Sequence, residues 1–208
     1  GRWFSRTFNP SDLSFYPAVS SIQAACHRLG RAFQDLTVLS LHGRPLAKVR
    51  TQLKRNQALI ILTDKHSTPQ ALAQECIAAG FPDSKLTVLE MLGYAQEKIS
   101  VFQASELVEQ PSSSELTFDP LHVTLIDPLG AGGVFPEFPG IPDESFVTDS
   151  GEGKGMITKR EVRLSILSLL QPSSQDCIWD IGAGCGGVSV ELSYWNADTS
   201  VHAIEYHP

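Results

Sequence analysis

Short apolar runs alternate with stretches of mixed polarity along residues 1–126, which is the pattern of strands that alternate with helices. Residues 58–62 are five consecutive apolar residues, as in a strand that is buried on both faces. Ser20 or Ser21 is placed to cap the start of a helix, and Gly30 to end it. The pattern predicts strands at 13–16, 36–41, 58–62, 85–91, 97–104 and 121–126, and helices at 21–29, at 46–55, from Pro69 to Gly80, and for one turn at 105–108.

The composition changes after residue 126. Residues 127–155 are rich in glycine and proline and carry Phe135, Phe138 and Phe146. Such a segment does not sustain regular secondary structure, so we predict a linker whose phenylalanines pack on the surfaces that it crosses; plain disorder is the alternative. The expected organisation is a first domain at residues 1–126, the linker at 127–155, and a second domain at 156–208.

Residues 157–170 are predicted to open the second domain as a helix. Apolar residues recur there partly at helical spacing, and Thr158 and Glu161 form the S/T-x-x-E pattern of a capping box. An apolar run then leads to Asp180, four glycines follow within six positions, and another apolar run leads to Glu205. This order predicts a strand, a tight turn, a helix and a second strand that ends in a carboxylate.

The glycine-rich turn predicts a site for a nucleoside cofactor. Glycine lets the main chain approach a ligand where a Cβ would collide, and the carboxylate at the end of the next strand can accept hydrogen bonds from ribose hydroxyls. Two patterns overlap in the turn. Asp180, Gly182, Gly184 and Gly186 follow D-x-G-x-G-x-G, the pattern of Rossmann-like methyltransferases that use S-adenosyl-L-methionine, whereas Gly182, Gly184 and Gly187 follow G-x-G-x-x-G, the dinucleotide pattern.

The aspartate before the glycines favours the methyltransferase interpretation. An anion at Asp180 can serve the ammonium group of a methionine, directly or through water, but it would repel a pyrophosphate. The predicted helix upstream of the first strand is also usual in methyltransferases. An NAD-dependent oxidoreductase and a glycine turn without any ligand remain the alternatives.

Composition and charge narrow the classes of function. With 42% hydrophobic and 19% charged residues, the 208-residue chain has an ordinary globular composition. Its net charge of -7 argues against a general nucleic-acid binder, and no apolar run approaches the roughly 20 residues of a membrane span. The four cysteines form no C-x-x-C pair and no Cys/His cluster, so we expect reduced cytoplasmic thiols and no metal site.

Motifs in both parts of the chain resemble enzymes of corrin biosynthesis. The first part resembles the C-terminal half of a tetrapyrrole methylase that acts on carbon 5 of the ring, and the second resembles the partner that methylates carbon 15 and decarboxylates an acetate arm. The order of the two parts resembles the family in which both enzymes are fused. The motifs are 17–23 (PAVSSIQ), 39–44 (LSLHGR), 62–64 with 68–69, 88–90 with 92–93, 138–144 (FPGIPDE), 158–163 (TKREVR) and 179–184 (WDIGAG).

The resemblance implies an α/β fold in which the end of a tetrapyrrole methylase domain precedes the first βαβ part of a Rossmann-like methyltransferase domain. On this basis the chain is expected to be an internal piece of the fused enzyme. The family's first domain begins with a sheet half and a glycine-rich loop that are not found upstream of residue 17, and its second domain has several more strands than residues 156–208 supply. We therefore expect truncation at both ends, and a homo-oligomer at full length.

The resemblance also implies the chemistry. S-adenosyl-L-methionine would donate methyl groups to a precorrin ring, with no metal and no nucleophilic triad. The expected cofactor-binding residues are Asp180, Gly182, Gly184, Gly186, Glu205 and Thr158. Because the substrate is an anionic tetrapyrrole, cations are expected to hold it, and the candidates are Arg44, Lys159 and Arg160, with Lys154 and Arg163 nearby. A non-catalytic docking module is the further alternative.

Overall fold

A computed structural model describes residues 6–109, 116–196 and 198–206. Contacts divide the chain into two compact units, Gly1–Phe135 and Pro136–Pro208, which are called unit 1 and unit 2 below. The α/β class expected from the sequence is confirmed, because strands and helices alternate in both units. The domain boundaries predicted at residues 126 and 155 stay a prediction.

Unit 1 is built on a five-stranded mixed sheet in the order β1-β2-β5-β3-β4. Strands β1 and β2 are parallel, with Leu36 opposite Ala58, and the other neighbours are antiparallel. The strands are β1 (Leu36–Ser40), β2 (Ala58–Leu62), β3 (Lys85–Glu90), β4 (Lys98–Gln103) and β5 (His122–Asp127). The helices are α1 (Ser21–Leu29), α2 (Pro69–Ala78) and α3 (Ala104–Glu109), with 3-10 turns at Pro10–Asp12, Phe33–Asp35 and Leu46–Gln52.

The two faces of this sheet carry separate apolar cores. Alternate residues of a strand point to opposite faces, and the apolar run of β2 divides accordingly. Leu59 and Ile61 join the cluster that contains Leu72 of α2, whereas Ala58 and Ile60 join the cluster that contains Ile22 of α1. Strand β2 is therefore covered on both faces, as its continuous apolar sequence predicted.

Local capping chemistry defines both long helices of unit 1. Ser20 accepts a hydrogen bond from the Gln23 N–H while the Gln23 side chain accepts one from the Ser20 N–H, and Gly30 closes α1 at φ 62°. Thr68 caps α2 by accepting a hydrogen bond from the Ala71 N–H, and Pro69 occupies the first helical position. The cap signals in the sequence are confirmed at these positions.

Two predicted elements of unit 1 are wrong. Residues 46–55 form a 3-10 turn that ends at Gln52, because Lys54 and Gln57 pair across a tight turn and β2 begins at the next residue. Residues 13–16 adopt no regular structure, since they lie exposed without a partner strand among the described residues.

The start of the glycine-rich segment packs on unit 1. The Gly132 N–H donates to the Gly80 carbonyl at 2.8 Å, and a Cβ at Gly80 would lie 2.8 Å from the Gly132 carbonyl oxygen. Phe135 packs against the unit 1 core, as expected of a phenylalanine that holds this segment. Phe146 is buried in unit 2, but Phe138 is 79% exposed and packs on neither core.

Unit 2 contains a single βαβ unit preceded by a helix. Strand β6 (Cys177–Ile181) pairs in parallel with β7 (Ser200–Ile204), and helix α5 (Gly187–Trp195) connects them. Helix α4 (Arg160–Leu170) precedes β6, and a 3-10 turn lies at Asp143–Ser145. The order strand, turn, helix, strand is the one predicted around the glycine-rich turn; the Rossmann-like assignment of the whole domain stays a prediction.

Asp64 joins two loops at one end of the unit 1 sheet. Its carboxylate accepts hydrogen bonds from the N–H groups of His66 and Ser67, the Ser67 hydroxyl, and the Gly43 N–H in the turn after β1. The hydrogen bond from His66 and those from Ser67 and Gly43 favour the ionised form and lower the pKa of Asp64 to about 2. The Asp64 carboxylate therefore has a structural role, since it joins these two loops.

Because this pKa lies below the ordinary value of about 3.9, the folded chain binds fewer protons at Asp64 than the unfolded chain does. The stability that the ionised carboxylate contributes is complete above about pH 5 and is lost as the pH falls toward 2. We expect Asp64→Asn to lower the free energy of unfolding most at neutral pH and least near pH 2.5, measured by urea unfolding across this range. A difference that does not depend on pH would contradict this account. Asp35→Asn is the control, since the Asp35 carboxylate accepts no hydrogen bond from the described residues.

Candidate cofactor-binding site

Three glycines in left-handed conformations turn the chain from β6 into α5. The φ angles are 80° at Gly182, 56° at Gly184 and 76° at Gly186, a region that residues with a Cβ rarely adopt. The N–H groups of Gly182 and Ala183 both donate to the Ile204 carbonyl, at 2.8 and 3.1 Å. The turn is thereby fixed to the end of the neighbouring strand.

Glu205 lies directly beside this turn. Its Oε2 accepts the Gly184 N–H at 2.7 Å, and its Oε1 accepts the Tyr206 N–H at 2.8 Å. The strand-end carboxylate and the glycine turn are therefore in contact, and the role of Glu205 toward a ribose stays a prediction.

A cavity of about 530 Å³ opens where these groups meet. Its volume is within the usual range of small-molecule sites. A Cβ at Gly184 would project toward the Met156 carbonyl, 3.8 Å away in the cavity wall, and so would narrow the space. The lining residues are Val147, Thr148, Asp149, Ser150, Gly155, Met156, Gly184, Cys185 and Glu205.

The other predicted cofactor residues lie outside this lining. Gly182 and Gly186 shape the turn, and Asp180 accepts a hydrogen bond from the Ser189 hydroxyl of α5 at 2.6 Å. Thr158 is exposed, and its carbonyl accepts a hydrogen bond from Arg163. Their roles toward a cofactor stay predictions.

The predicted substrate cations are dispersed. Lys159 forms an ion pair with Asp143 at 3.7 Å and also donates to the Gly153 carbonyl. Arg160 is exposed on the first turn of α4. Arg44 belongs to unit 1, where its side chain is exposed in the turn that Asp64 holds. Lys159 and Arg160 are neighbours because they are consecutive in the sequence. Their role toward a substrate stays a prediction.

Arg163 is a residue whose role the sequence did not reveal. It had been grouped with the substrate cations, but its side chain is fully buried and pairs with the equally buried Glu191 of α5, at 3.3 Å. It also donates to Asp143 at 2.7 Å and to the carbonyls of Ile141 and Thr158. Arg163 is thus part of the protein interior and is unavailable to a substrate.

Glu191 receives four donors around this pair. Its oxygens accept the N–H groups of Gly140 and Ile141, at 3.2 and 2.7 Å, together with Arg163 and the Trp195 indole N–H. A buried charge is tolerated when it is paired and fully hydrogen-bonded, and this carboxylate meets that condition. The network ties the segment before α4 to both helices of unit 2.

The capping box predicted at Thr158 and Glu161 is wrong. Helix α4 begins at Arg160 after an uncapped Lys159, and the Thr158 side chain makes no cap hydrogen bond. Arg163 also lies beside Gly187, where a Cβ would come within 3.3 Å of the arginine Cδ. The third glycine of the dinucleotide pattern therefore has a packing reason that needs no ligand.

Asp143 responds electrostatically to the network. The hydrogen bond from the Arg163 guanidinium, with a smaller contribution from the charge of Lys159, lowers the pKa of Asp143 despite an opposing effect of desolvation. Asp143 is therefore ionised at neutral pH, which supports its pairing with both cations.

Neither a membrane-spanning helix nor a metal-binding cluster occurs among the described residues. No helix in this part of the chain has the length and apolar character needed to cross a membrane. No group of three or more His, Cys, Asp or Glu side chains lies together in a way that could hold a metal ion among residues 6–109, 116–196 and 198–206.

Sequence comparisons connect the chain to corrin biosynthesis. A family model described as a precorrin methyltransferase domain matches residues 149–208. A precorrin-6Y C(5,15)-methyltransferase (decarboxylating) from Sinorhizobium sp. is 36% identical over 206 residues, which is 98% of this chain and 47% of that protein. The protein of the same description from Mycobacterium tuberculosis is 32% identical over 203 residues, 97% of this chain and 48% of that protein.

A third relative is shorter. A probable cobalt-precorrin-6B C(15)-methyltransferase (decarboxylating) from Pyrobaculum calidifontis is 44% identical over 69 residues, 33% of this chain and 34% of that protein. The resemblance inferred from the motifs is confirmed over nearly the whole chain, and the chain spans about half the length of the first two relatives.

The buried network generates a stability prediction. Arg163→Met removes the partner of a fully buried carboxylate, and breaking a buried pair in this way costs about 3–5 kcal/mol. We expect this loss in the free energy of unfolding, measured by urea unfolding and followed by tryptophan fluorescence. Trp195, whose indole N–H donates to Glu191, contributes to that signal.

The double variant Arg163→Met/Glu191→Gln separates the contribution of charge pairing to the free energy of unfolding from that of side-chain packing. Because the uncompensated charge is then gone, the double variant is expected to be more stable than Arg163→Met alone. If the effects of the two substitutions simply add, the charge pairing is not what Arg163 contributes. Arg160→Met, on the exposed side of the same turn, is expected to change stability by no more than about 0.5 kcal/mol.

Proposed function

We propose that this chain, a relative of the precorrin-6Y C(5,15)-methyltransferases over nearly its whole length, is part of an S-adenosyl-L-methionine-dependent enzyme that methylates carbons 5 and 15 of a precorrin ring and decarboxylates an acetate arm. Unit 2 would bind the cofactor used at carbon 15. The similarity of residues 149–208 to a precorrin methyltransferase domain supports this assignment.

The contact between Glu205 and Gly184 carries the proposal. This contact holds the Glu205 carboxylate at the wall of a cavity of about 530 Å³, beside the main chain of Gly184, which carries no side chain. A nucleoside needs an acceptor for its ribose hydroxyls and close access to the main chain, and this arrangement supplies both. Glu205 and Gly184 would hold the sugar, with Gly182 and Gly186 shaping the turn.

The charge of the cavity favours S-adenosyl-L-methionine over NAD. The lining contains two carboxylates, Asp149 and Glu205, and no Lys or Arg among the described residues. A dinucleotide would bring a doubly charged pyrophosphate to this wall, whereas the sulfonium and the ammonium group of S-adenosylmethionine are positive. The packing of Gly187 against Arg163 further removes the need for a dinucleotide to explain that glycine.

The bound cofactor would supply an electrophilic methyl group. The residues of this chain would then bind and align it and exclude water, which are the main requirements of such a transfer. An anionic ring requires cations to hold it, and the candidates are the exposed Arg160 and Lys159 of unit 2 and, for unit 1 by itself, Arg44. A fused arrangement would assign carbon 5 to unit 1. We further propose a cytoplasmic homo-oligomer that binds neither nucleic acid nor membrane.

Calorimetric titration of the chain tests the cofactor assignment. We expect S-adenosyl-L-methionine and S-adenosylhomocysteine to bind and NADH not to bind. Glu205→Gln is expected to raise the dissociation constants of both adenosyl ligands by at least about tenfold, since a hydrogen bond to a charged group contributes about 1.5–3 kcal/mol.

Glu161→Gln is the matched control, because this exposed glutamate on α4 does not line the cavity and should leave both affinities unchanged. Binding of NADH in place of the adenosyl ligands would identify the alternative oxidoreductase. Absence of any binding would support a docking module instead.

A further inference from the structure

The lining of the cavity contains an acidic residue that no sequence motif singled out. Asp149 lines the cavity together with Glu205, although the two lie more than fifty residues apart in the chain. Its carboxylate forms no hydrogen bond or ion pair with any of the described residues. In contrast, the carboxylates of Asp143 and Glu191 are paired with Arg163.

The loop that carries Asp149 is held by its own hydrogen bonds. The Thr148 hydroxyl lies within hydrogen-bond distance of the carbonyls of Gly151 and Lys154, and the Gly151 N–H donates to the Thr148 carbonyl at 3.0 Å. The Gly153 N–H donates to the carbonyl of the buried Phe146 at 3.0 Å. These bonds fix the loop, so Asp149 borders the cavity without having to be ordered by a ligand.

From this geometry we infer that Asp149 is a specificity-determining residue that contacts the cationic methionyl part of the cofactor. The inference rests on the proposed function of the cavity. An unpaired carboxylate at the wall is attractive to a ligand that carries positive charge and indifferent to an uncharged one. Glu205 would hold the sugar, so the two acids divide the recognition of one ligand.

Three ligands that share the adenosine but differ in charge test this assignment. S-adenosyl-L-methionine carries a sulfonium and an ammonium group, and S-adenosylhomocysteine carries the ammonium group without the sulfonium. 5'-Methylthioadenosine carries neither cation and also lacks the carboxylate that the other two share. Asp149→Asn keeps the size of the side chain and removes its charge. Calorimetry on wild type and variant gives the ratio of dissociation constants for each ligand.

We expect Asp149→Asn to weaken S-adenosyl-L-methionine by about tenfold and to leave 5'-methylthioadenosine unchanged. If the binding of S-adenosylhomocysteine is weakened by the same factor, Asp149 contacts the ammonium group. If its binding is not weakened, Asp149 contacts the sulfonium. Both results support the inference. An equal loss for all three ligands means that the substitution only disturbs the loop, and no loss for any of them means that Asp149 makes no contact. Either result overturns it.

Glu152→Gln provides the matched control. This glutamate is exposed on the same loop and does not line the cavity, so its loss of charge should affect no ligand selectively. The titration of the wild-type chain distinguishes a failure of the proposed function from a failure of the role inferred for Asp149. If the wild type binds none of the adenosyl ligands, the proposed function fails; if it binds them and Asp149→Asn behaves like wild type, only the role of Asp149 fails.

Discussion

The buried pair of Arg163 and Glu191 is the interaction on which the structure of unit 2 depends. Unit 1 has two extensive apolar cores, one on each face of its sheet, whereas the apolar cluster that holds the segment before α4 contains only Ile141, Phe146 and Ile157 as its buried members among the described residues. With so little apolar surface removed from water, hydrogen bonds and charge must hold the segment in place. A network of this kind is stabilising only while every member is satisfied, which makes it sensitive to the loss of any one.

This constraint extends to the cavity. Arg163 reaches the Thr158 carbonyl on one side and packs beside Gly187 on the other, where α5 starts directly after the glycine turn. Through these contacts the buried Arg163 side chain holds two parts of unit 2 in place. One is the segment that follows the loop with Asp149, and the other is α5, which follows the glycine turn. The walls of the cavity therefore come from distant parts of the sequence, and their spacing is set in the interior, away from any ligand.

Local signals in the sequence were sufficient for much of the fold and for the glycine turn. The Ser20 cap, the Thr68 cap and the apolar run of β2 depend on a few adjacent residues, and the structure has them as predicted. Arg163 could not be interpreted in this way, because its partner lies 28 residues away and an arginine on a helix is usually solvated. Asp149 was missed for a related reason: only the folded loop brings it to the cavity that Glu205 borders.

The central claim is that this cavity holds the adenosyl cofactor, with Glu205 on its sugar. A crystal structure of the chain with bound S-adenosylhomocysteine tests it most directly. The account predicts ribose hydroxyls within about 2.5–3.0 Å of the Glu205 carboxylate and an adenosyl group beside the main chain of Gly184. Adenosine bound elsewhere on unit 2, with the Glu205 carboxylate facing no part of the ligand, would contradict it.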